Sequence, residues 1–118
     1  MPEWVDVGST AQIEEPGSRG VEIDGVDGVA LFVVRKDGGV YAYRNKCPHT
    51  GAPLEWLPDS FLDLDKSFIE CAMHGALFRA DNGLCLRGPC AGQSLLPLHV
   101  RVEDQRISVD VAPLREGD

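Results

Sequence analysis

Apolar and polar side chains alternate in Trp4-Val5-Asp6-Val7 and again in Val21-Glu22-Ile23, so both segments read as short, half-buried strands. An irregular stretch from Ala11 to Gly20, broken at Pro16-Gly17, separates them. Val29 to Arg35 is almost continuously apolar and predicts a strand covered on both faces. Asp37-Gly38-Gly39 turns that strand back into Val40-Tyr41-Ala42-Tyr43. Further on, Ser67 to Glu70 and Ala76 to Arg79 have the length and composition of short strands. Asp81-Asn82-Gly83 marks a hairpin that returns through Leu84-Cys85-Leu86. At the carboxy end, Leu96, Leu98, Val100 and Val102 face Ile107, Val109 and Val111 across Glu103-Asp104-Gln105-Arg106, the pattern of an amphipathic hairpin. No segment sustains a helical period, and the prediction is an all-β, antiparallel chain.

The length of 118 residues suits one domain, 1–118, with a single sizeable core. Eleven basic against nineteen acidic residues give a net charge of -8, which argues against nucleic acid or an anionic membrane and for a basic protein surface as partner. The longest apolar run, Val29 to Val34, is far short of the ~20 residues of a spanning helix. The first residues show neither a basic start nor an apolar export core, so a cytoplasmic location is expected.

The candidate chemistry lies between Arg44 and Pro89. Cys47-Pro48-His49-Thr50-Gly51 and Cys71-Ala72-Met73-His74-Gly75 each offer a thiolate, then an imidazole, then a glycine. Two Cys and two His can hold one structural zinc tetrahedrally, or can divide by softness between the two irons of a [2Fe-2S] cluster. A two-Cys, two-His zinc finger usually keeps its Cys pair on one turn and its His pair on one helix, whereas each loop here is mixed. Mixed loops suit two irons, because each loop can bridge both.

With Gly88-Pro89 downstream, Cys47-x-His49 and Cys71-x-x-His74 resemble the Rieske-type [2Fe-2S] domain. The resemblance implies an antiparallel β-sandwich carrying a cluster-binding subdomain, about 44–90, built from two ligand loops and a proline loop that lies over the cluster. It implies that Cys47 and Cys71 ligate the inner iron and that His49 and His74 ligate the outer one. Imidazoles in place of two thiolates leave the oxidised cluster neutral in formal charge. The potential then rises from about −400 mV into the range of roughly −150 to +300 mV. High-potential members carry extra loop cysteines and hydroxyl donors, where this chain has Ala52, Met73, Ala76 and Phe78. Fewer donors to sulfur disfavour the reduced form, so a potential toward about −150 mV is expected.

The family's oxygenases add a mononuclear iron held by two His and a carboxylate. With three histidines, two of them in the ligand boxes, this chain cannot supply that triad, and no catalytic site of its own is visible. The resemblance therefore implies a soluble one-electron carrier, the ferredoxin component between a flavin reductase and an oxygenase. A second expectation is the small subunit of a cytoplasmic nitrite reductase, working with that enzyme's large subunit. A third, of a different class, is a zinc-binding structural module.

The remaining candidates have plainer readings. Cys85 and Cys90 flank the proline loop and read as reduced, buried thiols rather than a disulfide. His99 falls on the polar side of its strand and reads as a solvated residue. Trp4, Tyr41 and Tyr43 read as sheet aromatics. Leu54 and Met73 are expected to keep water off the sulfurs. The long segment between the boxes reads as an extra turn or hairpin packed by Trp56 and Phe61.

Overall fold

The computed structural model describes residues 1–48, 51–55, 57–72 and 75–115. Its centre is β3 (Leu31–Lys36), which is paired on both sides. β2 (Gly17–Val21) lies along one edge and β4 (Gly39–Arg44) along the other. The β3–β4 hairpin turns at Asp37-Gly38, both with positive φ, as the two-residue turn of a tight hairpin requires. Leu31, Phe32, Val33 and Val34 are all fully buried, which explains the unbroken apolar run. Each contributes about 1.5–3 kcal/mol of transfer free energy.

Because successive strand side chains point to opposite faces, β3 feeds two cores. Leu31 and Val33 pack with Val7, Ile107 and Val109, which belong to a second sheet. That sheet is formed by β1 (Trp4–Ser9), β10 (Arg106–Asp110) and β9 (Val100–Glu103) in that order. Phe32 and Val34 pack on the opposite side with Leu54, Phe61, Ile69, Cys71, Phe78 and Cys85. The aromatic contact there is close: the Phe32 and Phe61 rings stack with centroids 4.4 Å apart and planes 7° from parallel. These second-side residues surround a small sheet of β5 (Ile69–Glu70), β6 (Leu77–Phe78) and β7 (Cys85–Arg87). Among the described residues the architecture is antiparallel β, with a 3-10 turn at Thr10–Gln12 after β1 and one α-helical turn, α1 (Ala112–Arg115), after the last strand.

Three local expectations are corrected. The stretch to Gly20 is not irregular throughout: β2 begins at Gly17 and ends at Val21, before Glu22 and Ile23. Its ladder to β3, from Gly17 opposite Arg35 to Val21 opposite Leu31, outweighs the poor strand propensity of Gly-Ser-Arg-Gly. Leu96 and Leu98 do not belong to the terminal hairpin. β8 (Pro97–Leu98) pairs with β4, and the chain crosses at His99 into β9, which pairs with β10. Continuous alternation through both segments conceals a change of partner, since the phase of the side chains is unaltered. Val102 is 44% exposed rather than buried, because β9 is the edge strand of its sheet.

The segment between the ligand boxes does turn locally, with antiparallel bridges Leu57 to Ser60 and Leu62 to Ile69. Phe61 anchors it, fully buried, as expected; Trp56 lies outside the described residues.

Candidate metal centre

β4 delivers the chain to the first ligand loop, and the end of that strand is fixed by Asn45. Its backbone N–H donates to the Ala30 carbonyl at 3.0 Å. Its side-chain Nδ2 donates to the Val29 carbonyl at 3.1 Å and to Glu55 Oε1 at 2.8 Å, while its Oδ1 accepts from the Leu54 N–H at 2.8 Å. One side chain thus ties the entry of the first loop to its exit and both to the segment leading into β3. Asn45 is the buried polar residue among the described residues, and sequence reasoning passed over it. The available signal was an asparagine at the junction between a strand and a Cys-containing loop, where Asn side chains commonly bond nearby backbone.

The two loops repeat one backbone pattern. The Cys47 N–H donates to the Ala52 carbonyl at 2.9 Å and the Gly51 N–H to the Cys47 carbonyl at 2.8 Å. The Cys71 N–H donates to the Ala76 carbonyl at 2.9 Å and the Gly75 N–H to the Cys71 carbonyl at 2.9 Å. In each loop the turn closes on a glycine in the left-handed region, φ 77° at Gly51 and φ 67° at Gly75. The glycine after each His is therefore a conformational requirement of the turn rather than a ligand feature. The Ala72 N–H donates to the Leu54 carbonyl at 3.0 Å, so the two loops are bonded directly to each other.

Cys47 and Cys71, the first residue of each turn, are buried in one shared core, at 2% and 0% exposure. His49 and His74 lie outside the described residues, as do Thr50 and Met73. Leu54, fully buried, closes the core between the loops as expected. Phe78 and Ala76 are buried there as well, so neither brings a hydroxyl to the sulfurs.

The third loop follows β7. Gly88 lies directly on the second ligand loop: a Cβ placed on it would come within 2.9 Å of both Cα and Cβ of Ala76. Only hydrogen fits at this approach. Beyond it, the loop closes through Ala91 N–H to Gly88 O at 3.1 Å and Gln93 N–H to Cys90 O at 2.9 Å. Gly92 N–H donates to Cys85 O at 3.1 Å, and Cys85 N–H to Gln93 O at 2.8 Å. These bonds bring Cys85 and Cys90 together, with Sγ atoms 3.0 Å apart and no disulfide between them. The Cys85 thiol donates to the Arg87 carbonyl at 3.3 Å. Burial pushes the Cys90 thiol up to about 12, with the neighbouring Cys85 and Cys47 sulfurs adding to the effect.

Around the loops the charges differ. Arg44 and Lys46 lie beside the first loop, in a cleft that reaches Gly51. Asp63, Asp65 and Glu70 flank the second, in a cleft that reaches Gly75. His99 is exposed and remote in sequence from both loops, on the crossing between two sheets, in keeping with a solvated residue.

The donor set fits an iron–sulfur group. Two thiols occupy equivalent positions of two matched turns, both are screened from water, and a third loop packs against the second turn at Ala76.

Comparison with known proteins agrees with this geometry. The sequence model of the family described as "Rieske [2Fe-2S] domain" matches residues 3–109. The chain is 31% identical over 110 residues to the ferredoxin component of the naphthalene 1,2-dioxygenase system of Pseudomonas aeruginosa, covering 93% of this chain and 97% of that protein. Among solved structures it is similar to a chain in the complex of reduced oxygenase and oxidized ferredoxin in carbazole 1,9a-dioxygenase. The TM-score is 0.74 at 29% identity, over 91% of this chain and 92% of that one. It is also similar to the ferredoxin of carbazole 1,9a-dioxygenase from Nocardioides aromaticivorans IC177, with TM-score 0.71 and 26% identity over 91% and 96% of the two chains.

Proposed function

The chain belongs to the Rieske [2Fe-2S] domain family, and on that premise we propose that it is a one-electron carrier, the ferredoxin component of an oxygenase-type electron-transfer chain. The cofactor of this reading is one Rieske [2Fe-2S] cluster per chain, which when bound takes up and releases a single electron. Cys47, His49, Cys71 and His74 would hold it. The observation that carries the ligand assignment is the repeated hydrogen-bond pattern of the two loops, which sets Cys47 and Cys71 into one buried core.

The rest of the chain supplies the setting. Leu54, Phe61, Ile69 and Leu95 exclude water from the sulfurs, and Asn45 locks the first loop in place. Water exclusion lowers the local dielectric and holds the ligands in one geometry, so little has to rearrange when the charge changes. The single Rieske domain of this reading spans 1–118 and needs no catalytic residue of its own.

Its partners are redox proteins. The relatives are ferredoxin components of dioxygenase systems, and one of the solved neighbours is a ferredoxin in complex with an oxygenase. For this chain we infer an oxygenase as acceptor and a flavin reductase as donor, met through a weak docking that the net charge of -8 steers. Among the described residues, no helix is long and apolar enough to cross a membrane. A cytoplasmic location belongs to the same proposal, supported by the kinship to ferredoxin components of dioxygenase systems. The nitrite reductase subunit is not favoured, because the relatives are dioxygenase ferredoxins.

The test is direct. The purified protein should be red-brown, contain iron and sulfide in equal amounts, and give a rhombic low-temperature spin resonance signal on reduction. Cys71→Ser and His49→Ala should each abolish the visible absorbance; either variant keeping the parent's spectrum and electron uptake overturns the assignment.

A further inference from the structure

We propose that the cleft beside the first ligand loop, where the Arg44 guanidinium stands without an acid among the described residues, receives a side-chain carboxylate of the redox protein that docks on this chain. The contact fixes how that protein faces the centre. This rests on the reading of the chain as an electron carrier with Cys47 as a ligand.

Other arginines of the described surface already hold acids. Arg35 pairs with Glu15 at 3.2 Å, Arg79 with Asp81 at 2.8 Å, Arg106 with Asp6 at 2.7 Å and Arg115 with Glu3 at 2.8 Å. Arg44 does not, although acidic residues outnumber basic ones nineteen to eleven. Its side chain makes no hydrogen bond or ion pair among the described residues, and its Nε is buried without an acceptor. Asp27 lines the same cleft and is not bonded to it. A guanidinium with open donors gains most from an incoming carboxylate, which its planar fork meets with two parallel bonds.

The place of the cleft ties it to the centre. Arg44 ends β4, and a cleft of about 330 Å3 runs from Val29 past Arg44 and Lys46 to Gly51 and Pro53, so it adjoins both ends of the first ligand loop. Lys46 lies along that loop, since a Cβ on Gly51 would stand 3.5 Å from Lys46 Cε. Two electrostatic tasks then separate by range. The net charge of -8 draws a basic partner across solvent but is spread over the surface and favours no one orientation. The positive cleft opposes that field and acts at contact, within the roughly 10 Å over which exposed charges are felt at about 0.1 M salt. Asp63, Asp65 and Glu70 beside the second loop present the opposite sign, so a partner with a carboxylate over Arg44 meets the two loops in one register.

The experiment follows oxidation of the reduced protein in stopped flow by cobalt(III)–EDTA, an inert anionic complex that carries carboxylates and becomes cobalt(II) on taking one electron. Arg44→Gln should slow this step about tenfold, and Arg44→Lys should slow it less because the charge stays. Arg101→Gln, on β9 over the Trp4 ring, removes the same charge and should slow it less than about twofold. With the cation hexaamminecobalt(III) as oxidant, Arg44→Gln should be no slower than the parent. Equal rates for Arg44→Gln and Arg101→Gln with the anion, or slowing of Arg44→Gln by both oxidants, overturns the proposal, the second result pointing to a disturbed centre. Should Arg44→Gln lose its visible spectrum, labelling of the oxidised parent by phenylglyoxal, mapped by mass spectrometry, decides. Cobalt(III)–EDTA must slow labelling at Arg44 and not at Arg101, and an unlabelled or unprotected Arg44 overturns the proposal. A parent protein without the iron–sulfide chromophore overturns the carrier reading itself, a result distinct from an intact chromophore whose oxidation ignores Arg44.

Discussion

Replacing Asn45 by alanine tests whether one side chain holds the first ligand loop to the sheet. The substitution removes three hydrogen bonds at once: to the Val29 carbonyl, to Glu55 Oε1 and from the Leu54 N–H. Leu54 is fully buried, so its N–H is left without an acceptor where water cannot reach it, and Val29 is half-buried. Each buried backbone group orphaned in this way costs about 1–3 kcal/mol. The Glu55 carboxylate adds little, being nearer solvent. The sum is about 2–4 kcal/mol out of the 5–15 kcal/mol typical of a domain. With a urea dependence of about 2 kcal/mol per molar, the unfolding midpoint should fall by about 1–2 M. Tryptophan fluorescence and visible absorbance recorded together in a urea series make the measurement, and bleaching should accompany or precede unfolding because the loop is released first. Asn45→Asp refines the test. It keeps the acceptor for the Leu54 N–H but sets a second carboxylate beside Glu55, a like-charge contact that destabilises the folded state while both are ionised. Its deficit relative to the parent should therefore shrink as the pH falls toward about 4. An Asn45→Ala midpoint within about 0.3 M of the parent refutes the reasoning.

Gly88→Ala forces a Cβ against Ala76 at a φ of 109° that L side chains rarely adopt, so the covering loop must lift; the visible absorbance should decay faster in air than the parent's, and an equal half-life contradicts the close approach. Phe61→Ala removes the ring stacked on Phe32 from a fully buried site and should cost about 3–5 kcal/mol, measured as the fall in unfolding free energy in urea. Asp6 is held below the usual carboxylate range by Arg106, and Asp110 by the N–H groups of Glu3 and Ala112. A depressed folded pKa lends stability above the ordinary value of 3.8 that is lost as the pH falls below it. Urea midpoints should therefore drop between about pH 5 and 3, and less steeply in Asp110→Asn. The reduction potential should lie in the lower part of the Rieske range, and a voltammetric midpoint above about +100 mV contradicts the shortage of donors at Ala76 and Phe78.

Local features were legible wherever a short stretch of chain decides its own conformation. The Asp37-Gly38 turn follows from residues that tolerate positive φ, and the terminal hairpin turn at Asp104-Gln105 from the polar break between two alternating apolar runs. The doubly covered strand over Leu31 to Val34 follows from its unbroken apolar run. What could not be read was partner choice. β8 and β9 share one alternating pattern yet join different sheets, and β2 exists only because β3 offers it a ladder. Pairing energy is gained between segments far apart in the chain, and a side-chain period carries no record of which segment supplies it.

The candidate centre divides in the same way. Donor identity and spacing are covalent facts, so the two Cys-His-Gly boxes, Cys47 with His49 and Cys71 with His74, and with them the class of metal group, were determined by the sequence alone. The setting of those boxes was decided only in three dimensions: the matched bonding of the two turns, the Asn45 tie between Val29 and Leu54, and the Cys85 and Cys90 sulfurs brought into contact by a loop packed on Ala76. Hydrogen bonds and burial depend on distances between residues that the chain separates widely, and only folding fixes those distances.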